Sequence, residues 1–314
     1  MLLAEIAFPA LNPVAFSIGA VHVRWYGLAY LIGFTIAGAV LARLARDNFL
    51  PLSRQQRADL MGILVLGVMI GGRLGYALFY EPSLFARPLE LLRIWRGGLS
   101  FHGGLLGVII GTLLFARTQG IAWRRLADAM VLAAPFGIFI VRCANFVNAE
   151  LYGRLASASV PWAMRFPTDP MARAISPELR AGGSLDWYPA FERLRDSGQW
   201  QRIAESVPLR HPSQLYEALL EGALIALILW GVYLKRRRSA EASKGRSETP
   251  GWYGALFLVL YASGRFAAEF FRQPDAQLGF VLGPFSMGQL LSMAVGIAGV
   301  AWMIFVSRRR EKLL

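Results

Sequence analysis

The chain has 314 residues, 55% of them hydrophobic, and a mean hydropathy of +0.44, which excludes an ordinary soluble domain of this length. Lys+Arg number 33 against 20 Asp+Glu, a formal charge of +13. In so apolar a chain this excess points to cytoplasmic loops beside anionic headgroups, and with no recognition motif beside it nucleic acid is excluded as a partner. The single cysteine, Cys143, rules out an internal disulfide and a cysteine metal cluster, and three histidines, His22, His102 and His211, leave little room for a metal site.

The N-terminal stretch Met1–Gly19 has no basic residue, carries Glu5 and is broken by Pro9 and Pro13. It reads as a short leader at or outside the interface, not a signal peptide. A spanning helix needs roughly 20 mostly apolar residues, and the first such run is Val21–Leu41. A basic loop, Ala42–Asp59, precedes the second span, Leu60–Tyr80, whose Gly67, Gly71 and Gly75 form a period-four stripe suited to close helix packing. Glu81–Leu99, with Trp95, Arg87, Arg93 and Arg96, suits a headgroup region. The third span is Ser100–Ala116 and the fourth Leu126–Val147. The polar region that follows, to Pro212, holds Tyr152, Trp162, Trp187, Tyr188 and Trp200 and reads as a small folded head. The fifth span is Pro212–Leu234, followed by a basic, mobile loop, 235–250. The sixth is Gly251–Phe271 and the seventh Phe285–Val306. The expected fold is therefore all-α, a polytopic membrane protein of about seven transmembrane helices with a periplasmic head. Its parts are residues 1–147, 148–211 and 212–314. No internal repeat supports an inverted-repeat transporter.

Loops after spans one, three and five, together with the tail, carry Arg43, Arg46, Arg54, Arg57, Arg117, Arg124, Arg125, Lys235, Arg236 and Arg308 among others; the short opposite segments hold Arg87, Arg93, Arg96 and Arg272. The bias places the N-terminus and the head outside and the C-terminus in the cytoplasm. On that orientation the polar residues within the spans converge on one depth in the outer half. They are Tyr26, Arg73, His102, Arg142, Asn145, His211, Gln214, Arg265 and Glu269. Each has a plainer reading as well. Arg73 could snorkel to headgroups, Tyr26 could belong to an aromatic belt, His102 could be a satisfied helix-end histidine, and Arg265 with Glu269 could be a structural ion pair. Yet Tyr261, Arg265 and Glu269 share one helical face, and a polar stripe in a membrane helix must face protein or water. Arg142 and Asn145, followed by Asn148 and Glu150, form the densest group. Cys143 beside them lacks an obvious base and reads as packing.

Arginine forks bind phosphate bidentately and keep their charge, so two of them near the outer leaflet suit an anionic lipid headgroup. The same groups would stabilise a departing phosphate. His102, with an unperturbed pKa of about 6.5, suits a general base.

These segments carry a family resemblance. Gly137–Gly153, with Arg142, Asn145, Asn148, Glu150 and Gly153, resembles the signature of bacterial prolipoprotein diacylglyceryl transferases. Further blocks resemble the family in its own order: Arg24–Gly27, Gly71–Tyr76, Gly98–Gly104, Arg210–Glu217, Gly264–Phe266 with Glu269, and Phe271–Asp275. The resemblance implies a seven-span inner-membrane enzyme that moves the diacylglyceryl group of phosphatidylglycerol to the lipobox cysteine thiol of a preprolipoprotein, without metal or organic cofactor. Its partners would be phosphatidylglycerol, the preprolipoprotein signal peptide and membrane lipids. It implies catalytic roles for His102, Arg142, Arg265, Glu269 and Tyr26. Substrate contacts would come from Arg142, Asn145, Asn148, Glu150, Gly153, Tyr261, Arg73 and Tyr76. The arginines would hold phosphate, Glu150 and Glu269 would orient them, and Tyr26 and Asn145 would position lipid.

The rivals are another phospholipid-headgroup transferase, a lipid transporter and an intramembrane serine protease. A metal-dependent transferase would show an aspartate cluster on one helix. Tyr261-Ala262-Ser263-Gly264 falls one residue short of the protease G-x-S-G pattern.

Overall fold

The structure is a computed structural model that describes residues 6–9, 11–19, 21–94, 97–182, 186–242, 249–273 and 279–311. Trp95, Arg96, Asp275 and the centre of the basic loop lie outside the described residues. The elements run β1 (Val14–Ile18), β2 (Val21–Arg24), α1 (Trp25–Arg46), α2 (Arg54–Phe79), a 3-10 turn (Pro82–Ala86), α3 (Pro88–Leu92), α4 (Phe101–Thr118) and α5 (Trp123–Val147). Four short helices follow, α6 (Pro170–Ile175), α7 (Pro177–Ala181), α8 (Trp187–Asp196) and α9 (Gln199–Ser206). Then come α10 (Ser213–Glu217), a π-helical turn (Ala218–Ala223), α11 (Leu224–Ala242), α12 (Trp252–Glu269), β3 (Phe280–Leu282), β4 (Phe285–Ser286) and α13 (Met287–Glu311).

Among the described residues, six helical segments are long and apolar enough to cross a membrane: Trp25–Arg46, Arg54–Phe79, Phe101–Thr118, Trp123–Val147, Ser213–Ser239 and Met287–Arg308. The architecture is that of an all-α polytopic membrane protein. The expected sixth span forms α12, which carries Arg265 and Glu269 in its closing turns and is not among these six. Two local readings change. Val21–Arg24, expected within the first span, is instead a strand paired antiparallel with β1 across the turn at Gly19. Helix α11 continues past Leu234 through Lys235–Ala242, because lysine, arginine, alanine and glutamate all favour helix.

The chain divides into two compact units. The first comprises Met1–Gly33, Pro135–Lys244 and Ala255–Ile304; the second comprises Phe34–Ala134, Gly245–Gly254 and Phe305–Leu314.

In the second unit α2 and α4 meet along glycine. A Cβ on Gly71 would stand 2.9 Å from the Gly107 Cα, and one on Gly75 2.7 Å from the Gly103 Cα, so the two backbones touch. The expected stripe is a packing seam of the small-residue kind. Ser53 opens α2 with a capping box to Gln56, and Ser100 caps α4 by accepting from the Gly103 amide at 3.3 Å. Asp128 is buried and accepts from the Gly251 and Gly254 amides at 2.6 and 2.8 Å, satisfying donors at the start of α12.

In the first unit an aromatic core gathers Phe8, Phe146, Phe166, Trp187, Phe191 and Val207, with Tyr152, Tyr188 and Trp200 packed against it. Phe8 stacks obliquely on Phe146 and Phe166 at 5.4 and 5.1 Å, so the N-terminal segment and the end of α5 share a core with α6–α9.

Candidate functional site

The polar residues of the first unit meet where α5, the π turn and α12 come together. Glycine sets the approach. A Cβ on Gly222 of the π turn would lie 2.8 Å from the Phe139 Cα in α5, and one on Gly264 of α12 would lie 2.8 Å from the Leu220 carbonyl oxygen. Three backbones are thus in contact. A π turn inserts one residue into a helix and is a frequent mark of functional sites; here Glu217, just before it, and Glu221, within it, are both turned toward arginines.

Arg142 on α5 pairs with Glu217 at 2.8 Å and reaches Glu221 at 3.8 Å. Arg265 on α12 lies 3.4 Å from each of those glutamates and pairs with Glu269, one turn on, at 2.9 Å. Arg272 closes the set, 3.3 Å from Glu217 and 3.9 Å from Glu269. The cations and carboxylates are equal in number, which is the condition for keeping such charges in a low-dielectric setting. They are not equal in exposure. The Glu217 and Glu221 side chains are 0% exposed, whereas Arg142 keeps 20% and Arg265 17%. The carboxylates form a buried floor, while the arginine side chains that meet them stay partly exposed.

Glu269 is fixed from a further direction. The Ser286 hydroxyl donates to it at 2.9 Å, and a Cβ on Gly288 would stand 2.8 Å from its carboxyl carbon. Tyr261 lies one turn before Arg265, within electrostatic reach of Arg142, Arg265, Glu217 and Glu221. Tyr26, the second residue of α1, lies within reach of Arg142 and Glu150 and stacks edge-on with Tyr30 at 5.4 Å.

The loop after α5 is built around Glu150. Its carboxylate accepts from Asn145 at 2.8 Å and from Asn148 at 3.1 Å. Arg142 is thus held by Glu217 and Glu221, while Glu150 organises the two asparagines. Ala149 and Leu151 both adopt positive φ, +53° and +57°, an unfavourable region for residues with a Cβ. Gly153 is required by contact: its amide donates to the His211 carbonyl at 2.8 Å, and a Cβ there would be 3.0 Å from the His211 backbone oxygen. Arg154 donates to the carbonyls of Arg272 and Glu269, at 2.7 and 3.2 Å, and so ties this loop to the end of α12.

Burial pushes the Tyr152 phenol up to about 12, and burial lowers the pKa of His211, whose Nδ1 lies 3.1 Å from the Tyr216 hydroxyl.

Arg73, Tyr76 and His102 belong to the second unit. Arg73 is buried and donates to the carbonyls of Glu90, Leu91, Gly97 and Gly98 at 2.6–3.1 Å. Gly98 has a φ of +73°, and a Cβ there would meet the Arg73 guanidinium and the Tyr76 ring. His102 is the second residue of α4, exposed, with its ring edge-on to Phe101.

Of the residues that the sequence singles out, Arg142, Asn145, Asn148, Glu150, Gly153, Tyr261, Arg265 and Glu269 stand in one unit with Tyr26. The roles of Glu217 and Glu221 escape that reading. A signal is there: two carboxylates four apart inside an apolar run require buried cations.

A segment spanning 13–305 matches the family model described as prolipoprotein diacylglyceryl transferase. The chain is similar to the phosphatidylglycerol–prolipoprotein diacylglyceryl transferase of Geobacter sulfurreducens, 42% identical over 96% of this chain and 98% of that protein. It is 40% identical to the protein of the same name from Gluconobacter oxydans, over 97% of this chain and 96% of that one. The corresponding protein of Azospirillum brasilense is 41% identical, with 97% of each chain covered. A multi-pass helical scaffold, an arginine group on a buried carboxylate floor and matches over nearly the whole length agree: the chain is a transferase and belongs to the prolipoprotein diacylglyceryl transferase family.

Proposed function

We propose that this protein transfers the diacylglyceryl group of phosphatidylglycerol to the lipobox cysteine of a preprolipoprotein signal peptide, in the bacterial inner membrane. The observation that carries the reading is the exposure difference in the ion network: the Arg142 and Arg265 side chains stay partly exposed beside glutamates that are wholly buried. Such a surface accepts a phosphate diester through charge-assisted forks while the floor prevents the two cations from repelling each other. The names of the relatives supply the donor and acceptor classes.

In this reading the thiol of the substrate cysteine gives its proton to the His102 imidazole. The thiolate attacks the glyceryl carbon that bears the phosphate ester oxygen. A carbon–sulfur bond forms, the carbon–oxygen bond breaks, and glycerol phosphate leaves with the electron pair, stabilised by Arg142 and Arg265. A free thiol with a pKa near 8.5 is only a few per cent ionised at neutral pH, so a base contributes directly to rate. Tyr26, Asn145, Asn148, Glu150, Gly153 and Tyr261 shape the lipid side of the site, and Glu269 holds Arg265. Arg73 we assign to its own loop, since four carbonyls occupy its donors; Tyr76 packs beside it.

The same reading includes α12 as a seventh span, a periplasmic N-terminus, a cytoplasmic C-terminus and a periplasmic head at 148–211. The test is a purified-enzyme assay that combines phosphatidylglycerol with a lipobox-cysteine peptide and reads peptide mass. Wild type is expected to add a diacylglyceryl mass, and Arg142→Ala to lose it. No gain with folded wild type would overturn the reading in favour of another lipid donor or of lipid transport.

A further inference from the structure

Four consecutive backbone carbonyls in the loop after α5 each accept a side-chain donor. The Trp187 indole N–H donates to the Asn148 carbonyl at 3.1 Å, and the Thr168 hydroxyl donates to the Ala149 carbonyl. Gln214 donates to the Glu150 carbonyl at 2.6 Å, and Ser213 to the Leu151 carbonyl at 3.0 Å. The last two donors begin α10. The first two come from the 148–211 region, where Trp187 is 1% and Thr168 7% exposed.

The clamped loop is the one that needs it. Ala149 and Leu151 sit at positive φ with side chains present, a conformation that persists only when surrounding contacts over-determine it. Ala149 is itself fully buried in the aromatic core with Trp187 and Phe166. Between the two strained residues stands Glu150, whose carboxylate holds Asn145 and Asn148. Loss of one donor would leave a buried carbonyl unpaired on a backbone already under strain.

We propose that Thr168 and Trp187 are positioning residues for the lipid side of the site, acting through the carbonyls of Ala149 and Asn148 to keep Glu150 and its two asparagines in register. This rests on the proposed transfer reaction, and in it the head braces the lipid-binding loop.

The experiment uses the full-length enzyme in detergent. Thr168→Val keeps shape and removes the hydroxyl; Trp187→Phe keeps an aromatic ring and removes the N–H; Thr168→Ser restores the donor. The transfer assay reads KM for phosphatidylglycerol and for peptide separately, and amide hydrogen exchange reads residues 148–153. Thr168→Val and Trp187→Phe are expected to raise KM for phosphatidylglycerol about tenfold, leave KM for peptide in place and speed exchange in the loop. Thr168→Ser is expected to behave as wild type. Simple loss of folded protein would lower kcat alone, which would overturn the proposal. So would unchanged lipid KM, or unchanged exchange, in both variants. Wild type that makes no product overturns the transfer reading itself, a result told apart because it appears before any substitution.

Discussion

The two units each bring helices into backbone contact through glycine, and they do different things with the contact. In the second unit, α2 and α4 close on Gly67, Gly71, Gly75, Gly103 and Gly107. The nearby arginine, Arg73, is satisfied by neutral carbonyls of α3 and of Gly97 and Gly98. In the first unit, Gly222 and Gly264 bring α5, the π turn and α12 equally close, but the arginines there face carboxylates, from other helices and from α12 itself. An arginine on carbonyls is a fastener: its charge is spread over dipoles and its donors are used. An arginine on a buried carboxylate is balanced in charge, and with an exposed edge it can still offer a fork to an anion.

The comparison breaks most sharply on one substitution made in both places. Arg142→Lys keeps the charge and loses the fork, so turnover should fall about 100-fold or more, since lysine meets Glu217 and phosphate only as a point charge. Arg73→Lys also keeps its charge, but only three donors remain for four carbonyls, one of which must then go unpaired. Stability should fall by ~2–3 kcal/mol, while turnover per folded molecule stays within about twofold. Thermal unfolding and the lipid transfer assay, run on both variants, separate the two. Equal loss of turnover would remove the distinction.

How much of this is legible in the sequence follows the reach of each interaction. The glycine stripe at 67, 71 and 75 declares a packing face because its period is helical. Arg265 and Glu269 declare a pair because they lie four apart on one helix, and they stand 2.9 Å apart. The Arg142–Glu217 pair joins α5 to α10, far apart in the chain, and no local period marks it. Glu217 is visible as part of a family block and Glu221 only as a second carboxylate four residues on in an apolar run, and neither reveals which distant cation balances it. Arg73 is legible as an intramembrane cation, but its carbonyl partners depend on where α3 and the glycines Gly97 and Gly98 come to lie. The β1–β2 hairpin is hidden because Val21–Arg24 continues smoothly into the apolar run of α1.

A second pair of substitutions acts on the contacts themselves. Alanine at Gly71 puts a Cβ 2.9 Å from the Gly107 Cα, and alanine at Gly222 puts one 2.8 Å from the Phe139 Cα. Neither neighbour is a flexible side-chain end, so each backbone must move, at a cost of ~1–3 kcal/mol. Both variants should unfold earlier. Only Gly222→Ala should also lower turnover per folded molecule, by about tenfold, because the shift parts Arg142 from Glu217. Calibrating activity to the folded fraction tests this, and a matching drop in Gly71→Ala would show that the seam is more than packing.

The finest version of the comparison uses two serines with the same local role. Ser100 caps α4, and Ser286 caps α13, where its hydroxyl accepts from the Gln289 amide at 3.3 Å and the Gln289 side chain returns a bond to the Ser286 amide at 3.1 Å. Replacing either by alanine removes a cap, worth ~1 kcal/mol. Ser286 has one further connection, the 2.9 Å bond to Glu269, which in turn holds Arg265. Ser286→Ala should therefore match Ser100→Ala in stability and differ from it in kinetics, with kcat/KM for phosphatidylglycerol reduced about three- to tenfold, about the worth of one hydrogen bond to a charged group. If the two variants share one kinetic profile, Glu269 does not depend on its serine, and its arginine partners and the packing of Gly288 set its position.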